Sequence, residues 1–477
     1  MLNLAAPVLA TLAAFAADDG FIRPSTECGA LEASASGGAL SVEFARLAWQ
    51  EGLAELDDAA RRTPDAGAPG GPGLALFASK VLTCELEGAG YVDNGVVLVE
   101  DGKIVATGRR ADVEVPEDYV RVECGRNWLM PGMVDLHSHS TGERGFNDAV
   151  LLANPGLRIS ATILPGNPDM RAALCCGVTT VLFIPGSGTT IGGQGALVKT
   201  APGPFEERVL RDPASLKVAQ YGNPDRWGPG QGKTVLNYTL RAALDRGRGY
   251  WKAWKAFEEG TGPEPSVDPS LEVYRKLFEG EIPASVHTQW LQVVVATIDI
   301  LKRQYHLDVF IDHGTFDSWI AAAYAFENGV NAIIGPRNVS YPDRPMIDWS
   351  GDNPESVKGS AAGFWEGGHR MIGFNTDSPF AVPLQDLFLQ AAIAVRHGFP
   401  DDRMQTVRGL TIIPAMTIGF GDRVGSLEPG KDADIVLVSG HPADPRSKVR
   451  GVWVDGVKQY DEKEESKKRK LERTDEL

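Results

Sequence analysis

The chain has 477 residues, 43% hydrophobic and 23% charged, which allows two or three domains around a large buried core. Its 47 Lys and Arg against 63 Asp and Glu give a net charge of -16, which excludes the basic footprint of a nucleic-acid binder. No internal apolar run has the length and purity of a membrane span, and 54 Gly and 31 Pro point to many loops at element ends.

Residues 1–17 hold a short apolar stretch ending in Ala14-Phe15-Ala16, the A-x-A pattern of a secretory signal peptide, without a Lys or Arg before it. The expectation is a secreted or periplasmic protein; the alternative is an Ala-rich helix of a cytoplasmic one. Residues 18–73 read as an N-terminal extension. One amphipathic helix is available at Val42–Leu56, and Ala66-Gly-Ala-Pro-Gly-Gly-Pro-Gly73 has a linker composition. From Leu74 the texture becomes β-rich, in short runs separated by Gly, Asn and Asp, with Asp101-Gly102 a predicted hairpin turn. Matching runs return at Ala433–Val438 and Gly451–Val457. The simplest arrangement is a small composite β-sandwich built from residues 74–130 and 422–460, both ends of the chain. Residues 461–477 are a mixed charge run, read as a solvated tail or fraying helix.

The five cysteines are Cys28, Cys84, Cys124, Cys175 and Cys176, an odd, low count without a C-x-x-C motif. Cys175 and Cys176 fall in a predicted helix and are assigned to buried packing. A Cys84–Cys124 bridge stays open for an exported chain.

Between residues 131 and 421 apolar strands alternate with helical stretches. Predicted strands are Met133–His139, Val178–Ile184, Ala196–Lys199, Leu216–Tyr221, Ile282–His287, Val309–His313, Val330–Gly335 and Met371–Asp377. Helical stretches include Trp290–Tyr305, Trp319–Asn328 and Leu384–His397. Strand–helix repetition implies a parallel sheet, and eight strands in this length fit an α/β fold of the (β/α)8 TIM barrel type.

Catalytic groups of such a barrel sit at the C-terminal ends of its strands. His137 and His139 close the first predicted strand, and period-2 alternation puts both on one face. His287 and His313 close two others, Asp377 a fourth, and Lys217 lies inside an apolar strand. A lone histidine of this kind would be a structural residue. Imidazoles and a carboxylate gathered at strand ends suit zinc and similar first-row divalent ions.

Met130-Pro-Gly-Met-Val-Asp-Leu-His-Ser-His139, Gly177-Val-Thr-Thr-Val181, Asn375-Thr-Asp377 and the run from Asp422 to Leu437 follow one another in an order that resembles the amidohydrolase superfamily. Pro185–Gln194 resembles its imidazolonepropionase-like branch. The resemblance covers about residues 74–460. It implies a metal-bearing barrel with a composite β-sandwich, and it implies roles. His137, His139 and Asp377 would bind one divalent ion, and His287 and His313 a second, zinc being the expected identity. Lys217 would bridge both ions as a carboxylated lysine; the alternative is an ordinary ion pair. His287 is followed by Thr288, Gln289 and Trp290, without the Glu three residues on that mononuclear deaminases carry. That turns the expectation away from ring deamination and imidazolone opening.

The implied reaction is hydrolysis of a C–N bond in an amide, small peptide or cyclic amide by a metal-bridging hydroxide, with Asp377 as proton shuttle. The alternatives are a mononuclear deaminase of a heterocycle and a non-catalytic amidohydrolase-like scaffold. Loops after the strands should select a small-molecule or dipeptide substrate, with Arg144, Gln194, Gln289 and Arg337 as its candidate contacts. A homo-oligomer is compatible with the sequence.

Overall fold

The structure is a computed structural model that describes residues 65–465, apart from 143–146, 149–150, 165, 222, 225–231, 337–338, 341–357 and 381. The signal-like stretch, the Val42–Leu56 helix, Cys28 and most of the charged tail lie outside the described residues. No helix among the described residues is long and apolar enough to cross a membrane.

Two large sheets organise the chain. The first contains β1 (Leu74–Val81), β2 (Val92–Glu100), β3 (Lys103–Arg109), β4 (Val120–Glu123) and β5 (Trp128–Pro131), followed much later by β16 (Ile435–Val438), β17 (Val449–Val454) and β18 (Val457–Asp461). The order is β18-β17-β16-β5-β1-β2-β3, with β4 also on β1. The two ends of the chain meet at β5, which pairs parallel to β1 and antiparallel to β16, Val436 lying opposite Met130. The strands form one continuous hydrogen-bonded sheet.

Alternation along β1 explains its apolar run from Leu74 to Ala78. Leu74, Leu76 and Ala78 pack with Val97, Val99, Leu129 and Ile435, while Ala75 and Phe77 pack with Val96, Leu98 and Tyr119. Both faces are thus buried from Leu74 to Ala78, and polar Ser79 and Lys80 come only where that burial lapses. Asp101 and Gly102 join β2 to β3 with φ of 47° and 74°, the left-handed pair that a tight hairpin demands.

Residues 65–73, expected as linker, are turns packed on this sheet. Gly67 donates to Pro72 O at 2.8 Å, Gly102 donates to Gly67 O at 2.8 Å, and Ala68 is buried. Gly67 makes this possible: its φ is 89°, and a Cβ there would lie 3.0 Å from Gly456 O. Cys84 and Cys124 are buried free thiols, so the bridge left open above is not formed. Cys175 and Cys176 end the predicted helix as expected but are only half-buried, a correction to their assignment to the core.

The second sheet is the barrel. Its strands are β6 (Met133–Ser138), β7 (Val178–Phe183), β8 (Ile191–Lys199), β9 (Val209–Ala219), β10 (Ala284–Thr288), β11 (Val309–His313), β12 (Asn331–Ile334) and, after a short hairpin of β13 (Val339–Ser340) and β14 (Lys358–Gly359), β15 (Ile372–Phe374). They run β15-β12-β11-β10-β9-β8-β7-β6, and a parallel bridge between Ser138 and Ser378 brings the two edges together. One strand departs from the predicted all-parallel barrel. β8 is antiparallel to both β7 and β9. Residues 184–190, between β7 and β8, are too few for the helical crossover that a parallel return needs. Residues 191–194 of the Pro185–Gln194 run are therefore strand.

The helices cover the barrel through apolar stripes. The longest, Lys233–Glu258, buries Leu236, Leu240 and Leu244, spaced four apart on one face. Within the barrel, Phe310 and Ile333 pack with Leu182 and Leu197, a dry base under the polar residues at the strand ends.

Candidate metal centre

The first strand of the barrel ends as its alternation requires. His137 and His139 both turn to the barrel axis, with ring centroids 5.0 Å apart and Nε2 atoms 3.1 Å apart. Asp377, just beyond β15, brings Oδ1 to 3.2 Å from His137 Nε2 and 3.6 Å from His139 Nε2. Ligand atoms of these three residues all lie within 4.8 Å of one another.

The remaining ring nitrogens are accounted for. His137 Nδ1 donates to Asp312 Oδ1 at 2.7 Å, and His139 Nδ1 donates to Ile184 O at 2.7 Å. These bonds fix the tautomers and leave the two Nε2 lone pairs facing each other and a carboxylate. Two lone pairs and an anion in van der Waals contact repel unless a cation lies between them. The donor set of two imidazole nitrogens and one carboxylate oxygen fits a first-row divalent ion.

His287 and His313 form a second pair beside the first. His313 Nδ1 donates to Gly335 O at 2.9 Å, and its Nε2 lies 2.9 Å from His287 Nδ1. Ser187 Oγ is also 2.9 Å from His287 Nδ1, and His287 Nε2 is buried without a hydrogen-bond partner among the described residues. Burial, then the nearby charge of His137, lowers His313 to about 4; burial and His313 lower His287 well below the usual imidazole range. Both rings are therefore neutral, the form that ligates metals.

Lys217 is fully buried, and its Nζ donates to Asp312 Oδ2 at 2.9 Å. This is the contact that the ion-pair reading of Lys217 requires. Burial by itself would raise the Asp312 carboxyl, but His137 and Lys217 outweigh it and hold the group far below the usual carboxylate range. Asp377 is treated the same way: burial opposes ionisation, and the neighbouring His137 and His139 rings overcome it, keeping the carboxyl well below its usual range. Its side chain is 18% exposed, against 1% and 3% for His137 and His139, so Asp377 is the member of the triad that reaches solvent.

Two of these residues sit in the left-handed region, His313 at φ 89° and Asp377 at φ 50°. Neither is Gly, and such conformations persist only where the surroundings over-determine them. In His313 the consequence is visible. His287 lies opposite Asp312 in the β10–β11 ladder, so Asp312 shares its inward face, and plain alternation would turn His313 outward. The positive φ brings His313 inward as well, its ring 4.5 Å from that of His137. Sequence reasoning singled out His313 and passed over Asp312, which stands next to it, because strict alternation admits only one of two neighbours.

The predicted substrate contacts fare differently. Arg144 and Arg337 lie outside the described residues. Gln289 is buried one residue beyond β10. Gln194 is not brought to the cluster. It lies opposite Leu216, next to Lys217 and so on the other face of β9; its amide donates to Pro155 O at 2.8 Å and accepts from Arg158 Nε at 3.4 Å. The antiparallel turn of β8 is the reason.

Three comparisons bear on this geometry. The profile of the Amidohydrolase family matches residues 319–459. The amidohydrolase tasK of Hapsidospora irregularis is 25% identical over 437 residues, covering 84% of this chain, which spans only 42% of that protein. An imidazolonepropionase of Brucella abortus is 24% identical over 391 residues, 75% of this chain and 91% of its own. Among solved structures, an amidohydrolase from Thermotoga maritima superposes with a TM-score of 0.71 and 27% identity, over 81% of this chain and 100% of that one. With the ordered motifs, the barrel and the strand-end triad, these likenesses make the chain similar, over most of its length, to proteins of the amidohydrolase superfamily.

Proposed function

We propose that the chain hydrolyses a C–N bond of an amide, small peptide or cyclic amide, with a divalent ion on His137, His139 and Asp377. The convergence of these three ligands at the C-terminal mouth of the barrel carries the reading. Such an ion, when bound, polarises a carbonyl and lowers the pKa of a water toward neutrality.

The chain's own residues do the rest. Asp312 and Ile184 O hold the two rings so that Nε2, not Nδ1, faces the site. Asp377 accepts a proton from the attacking water and delivers it to the departing nitrogen, base then acid at one carboxylate. His287 and His313 supply neutral imidazoles on the other side. The dinuclear form of this reading adds a second ion there, with Lys217 carboxylated. The Lys217–Asp312 ion pair favours a form with one ion, because the ammonium already has its anionic partner.

The test is hydrolysis of a dipeptide and cyclic-amide library by zinc-loaded protein, with an EDTA-treated control. Asp377→Asn should keep its fold and lose roughly 10²–10⁴ in rate; unchanged hydrolysis in that variant would refute the proton-carrier role. Metal analysis with ¹³C-labelled bicarbonate separates the two forms. One ion and no carbamate resonance support the ion pair; two ions with a resonance support the carbamate. Ammonia release from aminated heterocycles would instead establish the deaminase, and zinc-free, inert protein the scaffold.

A further inference from the structure

The loops that follow β9, β10 and β11 each place one aromatic ring at the mouth of the barrel. Tyr221 comes two residues after β9, Trp290 two after β10, and Phe316 three after β11. Trp290 and Phe316 stack, with centroids 5.5 Å apart and planes at 17°. Tyr221 leans on the other side of the group, 5.6 Å from Trp290 at 59°. Each ring follows, within four residues, a side chain of the metal centre: Lys217, His287 or His313. All three rings are half-buried.

The wall is held in place by more than stacking. Phe316 has a φ of 55°, in the left-handed region that a bulky residue avoids. Asp317, its neighbour, accepts the backbone N–H of Leu291, next to Trp290, at 2.9 Å. Gly314 donates to Thr288 O at 2.9 Å, tying the same two loops closer to the strands. Lys233 caps the outer end, with Nζ 4.1 Å over the Tyr221 ring and bound to Gln292 Oε1 at 2.6 Å. Strain at Phe316 is thus maintained by bonds whose effect is to keep its ring flat against Trp290. A flat aromatic face offers a ligand apolar contact. Phe380, 64% exposed, lies 5.7 Å from the His139 ring and adds a second apolar surface beside the triad.

We propose that Tyr221, Trp290 and Phe316 form a substrate subsite for an uncharged apolar group, an aromatic ring above all, adjoining the bond that is cleaved. The assignment of the bond rests on the hydrolase reading; the subsite itself does not. Two measurements keep them apart. The first uses the full, zinc-loaded chain and the dipeptides Ala-Phe, Phe-Ala, Ala-Ala, Ala-Asp and Asp-Ala. A Phe dipeptide should exceed its Ala and Asp counterparts by about 10-fold or more in kcat/KM, chiefly through KM. Trp290→Ala should bring that ratio to within about threefold, while Trp290→Phe retains it. The second is equilibrium binding of N-acetylphenylalaninamide and N-acetylaspartamide to the same protein, which needs no turnover. The former should bind about 10-fold tighter, and Trp290→Ala or Phe316→Gly should erase the difference. Equal binding of the two probes, or a preference that survives Trp290→Ala, overturns the subsite. Tight, wall-dependent binding of the aromatic probe with no hydrolysis of any dipeptide upholds the subsite and counts against the hydrolase reading alone.

Discussion

Asp312 accepts a hydrogen bond from His137 Nδ1 with one carboxylate oxygen and one from Lys217 Nζ with the other, at 2.7 and 2.9 Å. One buried anion therefore orients an imidazole of the candidate triad and compensates a buried cation. Asn375 Nδ2 adds a third contact at 3.3 Å to the same oxygen that His137 uses. Full burial of all three partners makes this carboxylate the electrostatic centre of the site.

Its removal should therefore show in two readouts. Asp312→Asn keeps the shape but loses the charge that makes His137 a good ligand, and zinc affinity should fall about 10–100-fold in a competition titration with a chelator. Asp312→Ala also strands Lys217, and urea denaturation should show a loss of about 3–5 kcal/mol. A Lys217→Met, Asp312→Ala double variant should recover part of that stability without recovering zinc affinity. Wild-type affinity in Asp312→Asn would show that the ring needs no such support.

Zinc should stabilise the folded chain, since the ligands come together only in the native state. At a free zinc concentration about 100 times Kd the gain is about 2.7 kcal/mol, visible as a rise in Tm that EDTA reverses. His139→Ala should abolish most of the rise. A Tm insensitive to both zinc and EDTA argues against a metal centre.

His369 offers a pH test away from the site. It is buried, its Nε2 donates to Val330 O at 2.9 Å, and its Nδ1 is buried with no hydrogen-bond partner among the described residues. Phe326 and Phe364 flank the ring at 5.5 and 5.7 Å. A second proton would be placed against these rings, and burial accordingly lowers the pKa to about 4 from the ordinary 6.5. The neutral form is favoured in the fold, so the contribution is complete above pH 6.5 and is lost as pH falls toward 4. It amounts to about 3 kcal/mol. Urea denaturation between pH 8 and 4.5 should show this decline in the wild type and a flatter one in His369→Gln.

Lys199 joins the barrel to the other sheet. It ends β8, is 1% exposed, and pairs with Asp432 at 2.9 Å, Asp434 at 3.1 Å and Asp455. Asp432 and Asp434 precede β16, and Asp455 follows β17. Lys199→Met should destabilise by about 3–5 kcal/mol, because it takes the cation from buried Asp434, whereas Asp432 keeps Lys103 and Arg423. Adding Asp434→Asn should return part of the loss. Additive losses in the double variant would show that the pair does not interact.

Much was legible in the sequence because it depends on local periodicity. The alternation of Met133–His139 assigns His137 and His139 to one face, and the left-handed Asp101-Gly102 turn needs only its own two residues. The ordered strand ends from His137 to Asp377 pointed to the barrel and to the side chains that gather at its rim, since each strand delivers its last residue to the same rim. What escaped was set by contacts distant along the chain. The reversal of β8 depends on the length of its connection and on partners on both sides, and it carried Gln194 to the far face. Asp312 was hidden because His313 breaks alternation through a positive φ that only its neighbours enforce. The pairing of Lys217, inside β9, with Asp312, at the end of β11, is likewise invisible to any window of sequence. The sequence determined which side chains could meet; the packing of the strands decided which atoms did, because burial makes every charge find a partner at a fixed distance.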